Sequence, residues 1–120
     1  MRFFLRRSAK AAALGAASLA LSFAAQHRAE AGDAKAGRAK AESVCAVCHG
    51  VDGLAKIPEA PNLAGQNENY LMAQLTAFKS GERKNEMMSV VSQNLSDADI
   101  ENLAAYYSAI EISVGKTPAQ

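Results

Sequence analysis

The most constraining feature of the sequence is the stretch VCAVCHG at residues 44–50. Its two cysteines, Cys45 and Cys48, are the only ones in the chain, and His49 follows directly. On a helix these residues stand at positions i, i+3 and i+4, so their side chains share one face. A disulfide between the cysteines would close a very short loop and would constrain the chain little. The spacing therefore indicates chemistry rather than a cross-link.

C-x-x-C-H is the attachment signature of c-type haem. Two thiols one helical turn apart can add to the two vinyl groups on one edge of the porphyrin. The imidazole of the next residue can then bind the iron. The motif therefore predicts one covalent haem c, with Cys45 and Cys48 as its thioether residues and His49 as the proximal iron ligand.

Residues 1–31 have the pattern of a cleavable secretory signal peptide. Four basic residues lie within the first ten, a mostly apolar run extends from Ala11 to Ala25, and the segment ends in Ala29-Glu30-Ala31. The run is shorter than the roughly 20 residues of a membrane-spanning helix, which argues against a retained anchor. We therefore expect cleavage after Ala31, location in a bacterial periplasm, and a domain of residues 32–120 that does not span the membrane.

The charge balance changes when the signal is removed. The full chain has a net charge of +1, whereas residues 32–120 contain eight basic and eleven acidic residues, a net charge of −3. Nucleic-acid binding requires a basic face or stripe, and this domain shows none. The sequence therefore predicts no nucleic-acid partner.

Two other uses of the cysteine pair are less compatible with the sequence. A thioredoxin-like dithiol would lie near a βαβ pattern, but here the motif ends a helical segment and no strand pattern is visible. A structural zinc site needs four ligands, usually Cys or His. Residues 32–120 offer only Cys45, Cys48 and His49. Export supports haem, because c-type haem is attached after transport.

Periodicity and capping residues predict an all-α domain with three main helices. These helices cover residues 34–47, 67–79 and 96–112. Asp33 and Asn67 can cap the first two, and Ser96 with Asp99 gives the third a start like a capping box. The loops between them are long for so small a domain and need something to pack against, a role that haem can fill. Residues 87–95 show no decisive pattern, and the tail 113–120 is expected to be loose.

Methionine is the best candidate for the second axial ligand, because His49 is the only histidine after residue 31. A thioether ligand raises the reduction potential of haem. Met72 lies within a predicted helix, where it is expected to fill the core. Met87 and Met88 lie between helices, where the chain can reach across a haem face. Spacing alone does not separate these two.

The sequence resembles a class I cytochrome c. It is most similar to small bacterial monohaem cytochromes and to single halves of the related dihaem cytochromes. The resemblance covers almost all of residues 32–112. It is carried by three segments: GDAKAGRAKAESVCAVCHGVDG, APNLAGQNENYLMAQLTAFKSGERKNEMM and LSDADIENLAAYYSAI.

The resemblance assigns further roles. In this family the distal methionine precedes the leucine of an LSD motif by seven residues. That leucine is Leu95 here, so the family pattern selects Met88 over Met87 as the distal ligand. Pro61 matches the proline whose carbonyl accepts the N–H of the proximal imidazole.

Two positions match the helix crossing of the family, and three depart from its pattern. Gly37 matches the small residue where the first and last helices cross, and Tyr106 matches the aromatic residue packed against it. Glu86 stands two residues before Met88, where the family often has proline, and would loosen the methionine loop. Leu54 and Glu59 replace a common Asn and Gly and would alter haem exposure.

The function implied is that of a soluble periplasmic one-electron carrier rather than an enzyme. Its donor would be a membrane quinol-oxidising complex or a dehydrogenase, and its acceptor an oxidase or a reductase. Surface lysines such as Lys56, Lys79 and Lys84 are candidate docking charges, with plain solvation as the simpler explanation. Two alternatives stay open: a haem subunit of a periplasmic oxidoreductase complex, and a ligand-binding or catalytic haem protein if Met88 does not bind iron.

Overall fold

The structure, a computed structural model, describes residues 32–118. These residues form helices and loops, with no strand among them. The elements are α1 (Ala34–Lys40), a π-helical turn (Ala41–Cys45), α2 (Ala46–His49), α3 (Glu68–Ser80), α4 (Glu86–Gln93) and α5 (Asp97–Ser108). The all-α prediction is confirmed for this part of the chain. The predicted export signal and its cleavage site lie outside the described residues.

The first helical segment is continuous over residues 34–49 and extends two residues further than predicted. Asp33 caps its start through its side chain. The N–H of Ala46 donates to the carbonyl of Ala41, five residues back, so the segment contains one π turn. Gly50, with φ of 73°, ends the helix. Such π turns occur often at functional sites, and this one carries the first cysteine of the motif.

The second predicted helix is confirmed as α3, and α4 is a helix that the sequence did not predict. Asn67 caps α3, and Gly81 ends it in the left-handed conformation with φ of 80°. Helix α4 has only eight residues and begins behind Asn85, whose side chain accepts two backbone N–H groups. Its β-branched residues Val90 and Val91 weaken the helical signal, which explains why the pattern was indecisive.

The last helix is shorter than predicted, because α5 ends at Ser108 rather than near Ile112. Its start behind Ser96 has the predicted capping box with Asp99. At its other end, the carbonyl of Tyr107 accepts the N–H of Gly65 at 2.9 Å. In a longer helix that carbonyl would accept an N–H four residues ahead. Here it accepts the N–H of Ile110, three residues ahead, at 3.4 Å, so the chain closes a tighter turn while a loop more than forty residues away in sequence binds the same carbonyl.

The core lies where α5 meets α1 and α3. Its buried residues are Ala41, Leu71, Leu95, Ile100, Leu103, Ala104 and Tyr107. Met72 is partly buried and packs against this cluster, as expected for a core-filling methionine.

Helices α1 and α5 cross at Gly37, which is buried. A Cβ atom at this position would overlap the carbonyl oxygen of Asn102 and lie 2.8 Å from the Cβ of Tyr106. Only glycine permits this close approach of the two backbones. The contact places Tyr106 against Gly37, which is the packing that the resemblance implies.

We expect Gly37→Ala to lower the free energy of unfolding by about 3 kcal/mol, at the upper end of typical overpacking costs. The clash is with backbone, so a side-chain rotation cannot relieve it. Gly115→Ala is the matched control, since a Cβ there meets nothing within 4 Å. Urea unfolding of both variants measures the difference. Equal stabilities would show that the crossing tolerates a methyl group.

Candidate functional site

A cavity of about 360 Å³ opens between the motif-bearing helical segment, the loop 57–66 and helices α3 to α5. Its walls are mainly apolar side chains, among them Leu71, Leu75, Phe78 and Val91. Cofactor pockets in proteins are usually mostly apolar, with volumes of roughly 300–1,000 Å³. The cavity therefore has the size and character of a cofactor site.

Both motif cysteines line this cavity. They are free thiols and partly buried. Burial raises the pKa of the Cys45 thiol to about 11, against the opposing effects of a hydrogen bond with Tyr107 and the charge of Lys40. Burial is also the main reason why the pKa of the Tyr107 hydroxyl is raised. The Cys45 thiol is therefore neutral at pH 7 before any bond is formed to it.

His49 lies at the cavity wall and is only 7% exposed. Its Nδ1 atom lies 2.9 Å from the carbonyl oxygen of Pro61. Because a carbonyl oxygen only accepts, Nδ1 donates in this bond and carries the proton, which leaves the lone pair on Nε2. A fixed tautomer of this kind is typical of metal-binding histidines. It is the contact that the resemblance implies for Pro61.

Hydrogen bonds within the loop hold Pro61 in place. The carbonyl of Gly53, a residue with φ of 71°, accepts the N–H of Leu63 at 2.8 Å and that of Ala64 at 3.1 Å. The side chain of Asn62 accepts the N–H of Ala55 at 2.8 Å. The residues that directly follow Pro61 are therefore bound to residues 53–55, which holds the prolyl carbonyl in place.

Two tyrosines of α5 hold the turn that follows His49. The Tyr107 hydroxyl donates to the carbonyl of Gly50 at 3.1 Å, and the Tyr106 hydroxyl donates to that of Val51 at 2.8 Å. The sequence predicted the packing of Tyr106 at the helix crossing but neither of these hydroxyl contacts. No local signal could reveal them, because their partners lie more than fifty residues away.

The three candidate methionines occupy different environments. Met88 is half-buried and lines the cavity. Met87 also lines the cavity but is 63% exposed. Met72 is not among the cavity-lining residues. The structure therefore brings Cys45, Cys48, His49 and Met88 to one cavity and leaves Met72 outside it.

Polar side chains also reach the cavity wall. The guanidinium of Arg83 lies 4.6 Å from the ring centre of Phe78 and donates a hydrogen bond to Gln74. Glu59, one of the positions that depart from the family pattern, lines the cavity as well. Within residues 32–118, no three His, Cys, Asp or Glu side chains converge to bind a metal ion.

Comparison with known proteins assigns the family. The family model for subunit III of cbb3-type cytochrome c oxidase matches residues 32–106. The chain belongs to this family of c-type cytochromes. The resemblance to cytochrome c and the predicted fold class are both confirmed.

Several relatives resemble this cytochrome. It is 48% identical over 85 residues to cytochrome c4 of Pseudomonas aeruginosa, covering 71% of this chain and 42% of that protein. It is 45% identical to cytochrome c-554(548) of Halomonas halodenitrificans, covering 68% of this chain and all of that protein. A thiosulfate dehydrogenase electron acceptor of Thiomonas intermedia is 42% identical, covering 62% of this chain and 35% of that one.

Among solved structures, reduced cytochrome c4 from Pseudomonas stutzeri matches with a TM-score of 0.64 and 46% identity. The match covers 71% of this chain and 49% of that chain. This cytochrome thus spans about half the length of the cytochromes c4 that it matches.

This cytochrome carries one covalently bound haem c, as its sequence predicts. The residues at the cavity fit that group: two uncrosslinked thiols, an imidazole with its lone pair on Nε2, and a thioether on a different helix. Apolar walls complete the fit. In the described part of the chain, no helix is long and apolar enough to cross a membrane.

Proposed function

We propose that this cytochrome is a one-electron carrier in which Cys45 and Cys48 form the thioether bonds. His49 and Met88 would bind the haem iron through the imidazole Nε2 and the thioether sulfur. When bound, the haem supplies an Fe(III)/Fe(II) couple. The observation that carries this assignment is that these four residues line one cavity, at which Met88 is half-buried and Met87 is 63% exposed, whereas Met72 packs into the core outside it.

The chain's own residues suit electron transfer better than catalysis. Pro61 holds the Nδ1 proton of His49, so the ring is fixed in one tautomer and orientation. Met88 as a second strong ligand would leave the iron no open position for a substrate. The apolar walls keep water from most of the cavity. The cytochrome is therefore proposed to be a carrier and not an enzyme.

We propose the periplasm as its location, because residues 1–31 have the pattern of an export signal. A membrane quinol-oxidising complex or a dehydrogenase would reduce it, and an oxidase or reductase would oxidise it. A dehydrogenase as donor is supported by the relative whose name is thiosulfate dehydrogenase electron acceptor. Encounters of this kind use small, transient interfaces.

The charges around the candidate docking lysines give little support for electrostatic steering of a redox partner. Lys56 lies 2.9 Å from Asp52, and Lys79 lies 2.7 Å from Asp97, so an acidic neighbour offsets each of them. No acidic group lies within 4 Å of Lys84 among residues 32–118. Of these three lysines, Lys84 is therefore the best candidate for a docking charge.

A redox titration of the exported protein, followed by exposure of the reduced form to carbon monoxide, tests the carrier function. We expect a single reversible one-electron transition and an unchanged reduced spectrum under carbon monoxide. Rapid carbon monoxide binding would mean that the sixth position is open. The proposed carrier function would then be wrong, and the protein would be a ligand-binding or catalytic haem protein.

A second candidate is a haem subunit held in a larger oxidoreductase complex. The observation that favours it is the matching family model, which is described as subunit III of cbb3-type cytochrome c oxidase. Purification of the tagged protein from its own cells distinguishes the two. A partner present at a fixed stoichiometric ratio would support the subunit, and isolation of the cytochrome alone would support the free carrier.

A further inference from the structure

The start of α4 is held by hydrogen bonds centred on Asn85. Its side-chain Oδ1 accepts the backbone N–H groups of Met87 and Met88, both at 3.0 Å. Its own N–H donates to the hydroxyl of Ser89 at 3.0 Å, and the Ser89 N–H donates to its carbonyl at 2.9 Å. Asn85 also lines the cavity beside Met88. The residue thus contacts both the backbone of the candidate ligand and the next turn.

Helix α4 depends on this cap more than a longer helix would. The first N–H groups of a helix have no partner within the helix, and the amide of Met88 is one of them. An eight-residue helix is also marginal without tertiary support. If the thioether of Met88 leaves the cavity, its turn can fray, and the bonds to Asn85 are lost with it. The cap therefore favours the state in which Met88 stays in place.

This chain departs from the family pattern at Glu86, the first residue of α4. Proline at the first helical position restricts the backbone before folding, but this chain has Glu86 there. Without that proline, the restraint on the first turn of α4 comes from the side chain of Asn85. We infer that Asn85 is a positioning residue, whose side chain holds Met88 at the cavity in place of the missing proline. The inference rests on the proposed role of Met88 as the distal ligand.

Imidazole competition measures how often Met88 leaves the iron. Added imidazole binds the ferric protein only when the sixth position is open, so its apparent Kd varies inversely with the open fraction. Loss of the weak methionine–iron band at the red end of the spectrum reports binding. Loss of a cap shifts such an equilibrium by roughly fivefold. We expect Asn85→Ala to bind imidazole about fivefold more tightly than wild type.

Several variants separate positioning from a general loss of stability. Asn67→Ala is the matched control, because Asn67 caps α3 by accepting the N–H of Tyr70 at 3.0 Å and does not line the cavity. It should lower stability to urea without changing the imidazole Kd. Asn85→Ser keeps a capping oxygen and should stay close to wild type. Ser89→Ala removes only one bond of the set and should give a smaller shift in the same direction.

A proline at position 86 provides a rescue by a different route. Asn85 has φ of −157° and ψ of 138°, an extended conformation that suits the residue before a proline. Adding Glu86→Pro to Asn85→Ala should weaken imidazole binding again by roughly two- to fivefold, because proline restricts the detached chain.

Two outcomes would overturn the inference. If Asn85→Ala binds imidazole no more tightly than Asn67→Ala, the cap does not position Met88, although Met88 stays the ligand. If wild type lacks the red band, or Met88→Ala retains it, Met88 is not the ligand and the proposed ligation fails with the inference. The two failures are thus distinguishable within one set of spectra.

Discussion

Met88→Ala is expected to abolish the weak charge-transfer band at the red end of the ferric spectrum and to open the iron to carbon monoxide in the ferrous state. A thioether ligand stabilises the reduced form of haem and raises its potential. Its removal should lower the reduction potential by on the order of 0.1 V or more, within the roughly 0.8 V that axial ligation covers in haem proteins. Optical spectra and a redox titration of the exported protein measure these changes.

Met87→Ala is the matched control for this experiment. Met87 is the neighbouring residue, carries the same side chain and reaches the same cavity, but it is 63% exposed. It should keep the band and a potential near that of wild type. Loss of the band in Met87→Ala and not in Met88→Ala would exchange the two roles. Retention in both single variants would mean that neither methionine alone is required.

Replacement of both motif cysteines, Cys45→Ala together with Cys48→Ala, is expected to abolish covalent haem attachment. The haem in a cavity of about 360 Å³ would then lack its covalent anchor, in a small domain that the structure describes over residues 32–118. So small a domain has little other core, and unfilled core volume is destabilising. We expect little folded protein to accumulate in the periplasm. The mass of the denatured protein measures attachment, because only a covalently held haem stays with the chain.

Single substitutions refine this prediction. Each single variant should retain one thioether, which the pyridine haemochrome band would reveal through its position between those of two-thioether and unattached haem. Val47→Ala is a control within the same motif, since Val47 is 83% exposed and does not line the cavity. It should retain both thioethers. Normal attachment in the double variant would refute the assignment of Cys45 and Cys48.

The sequence alone determined the features that depend on near neighbours. The spacing of Cys45, Cys48 and His49 predicted a covalent haem because its chemistry needs these groups within one helical turn. Asp33 and Asn67 marked the starts of two helices, and both cap them in the structure. A cap joins residues two or three positions apart, so it can be predicted from local sequence.

Tertiary structure alone decided what depends on distant partners. Helix α5 ends at Ser108, where Gly65 of a distant loop donates to the carbonyl of Tyr107. The Tyr107 hydroxyl holds Gly50, 57 residues away, beside the histidine of the motif. Met88 is half-buried at the cavity whereas its neighbour Met87 is 63% exposed, a difference that spacing alone did not predict. In each case the deciding contact or burial involves residues that are distant in sequence, so only the folded arrangement determines it.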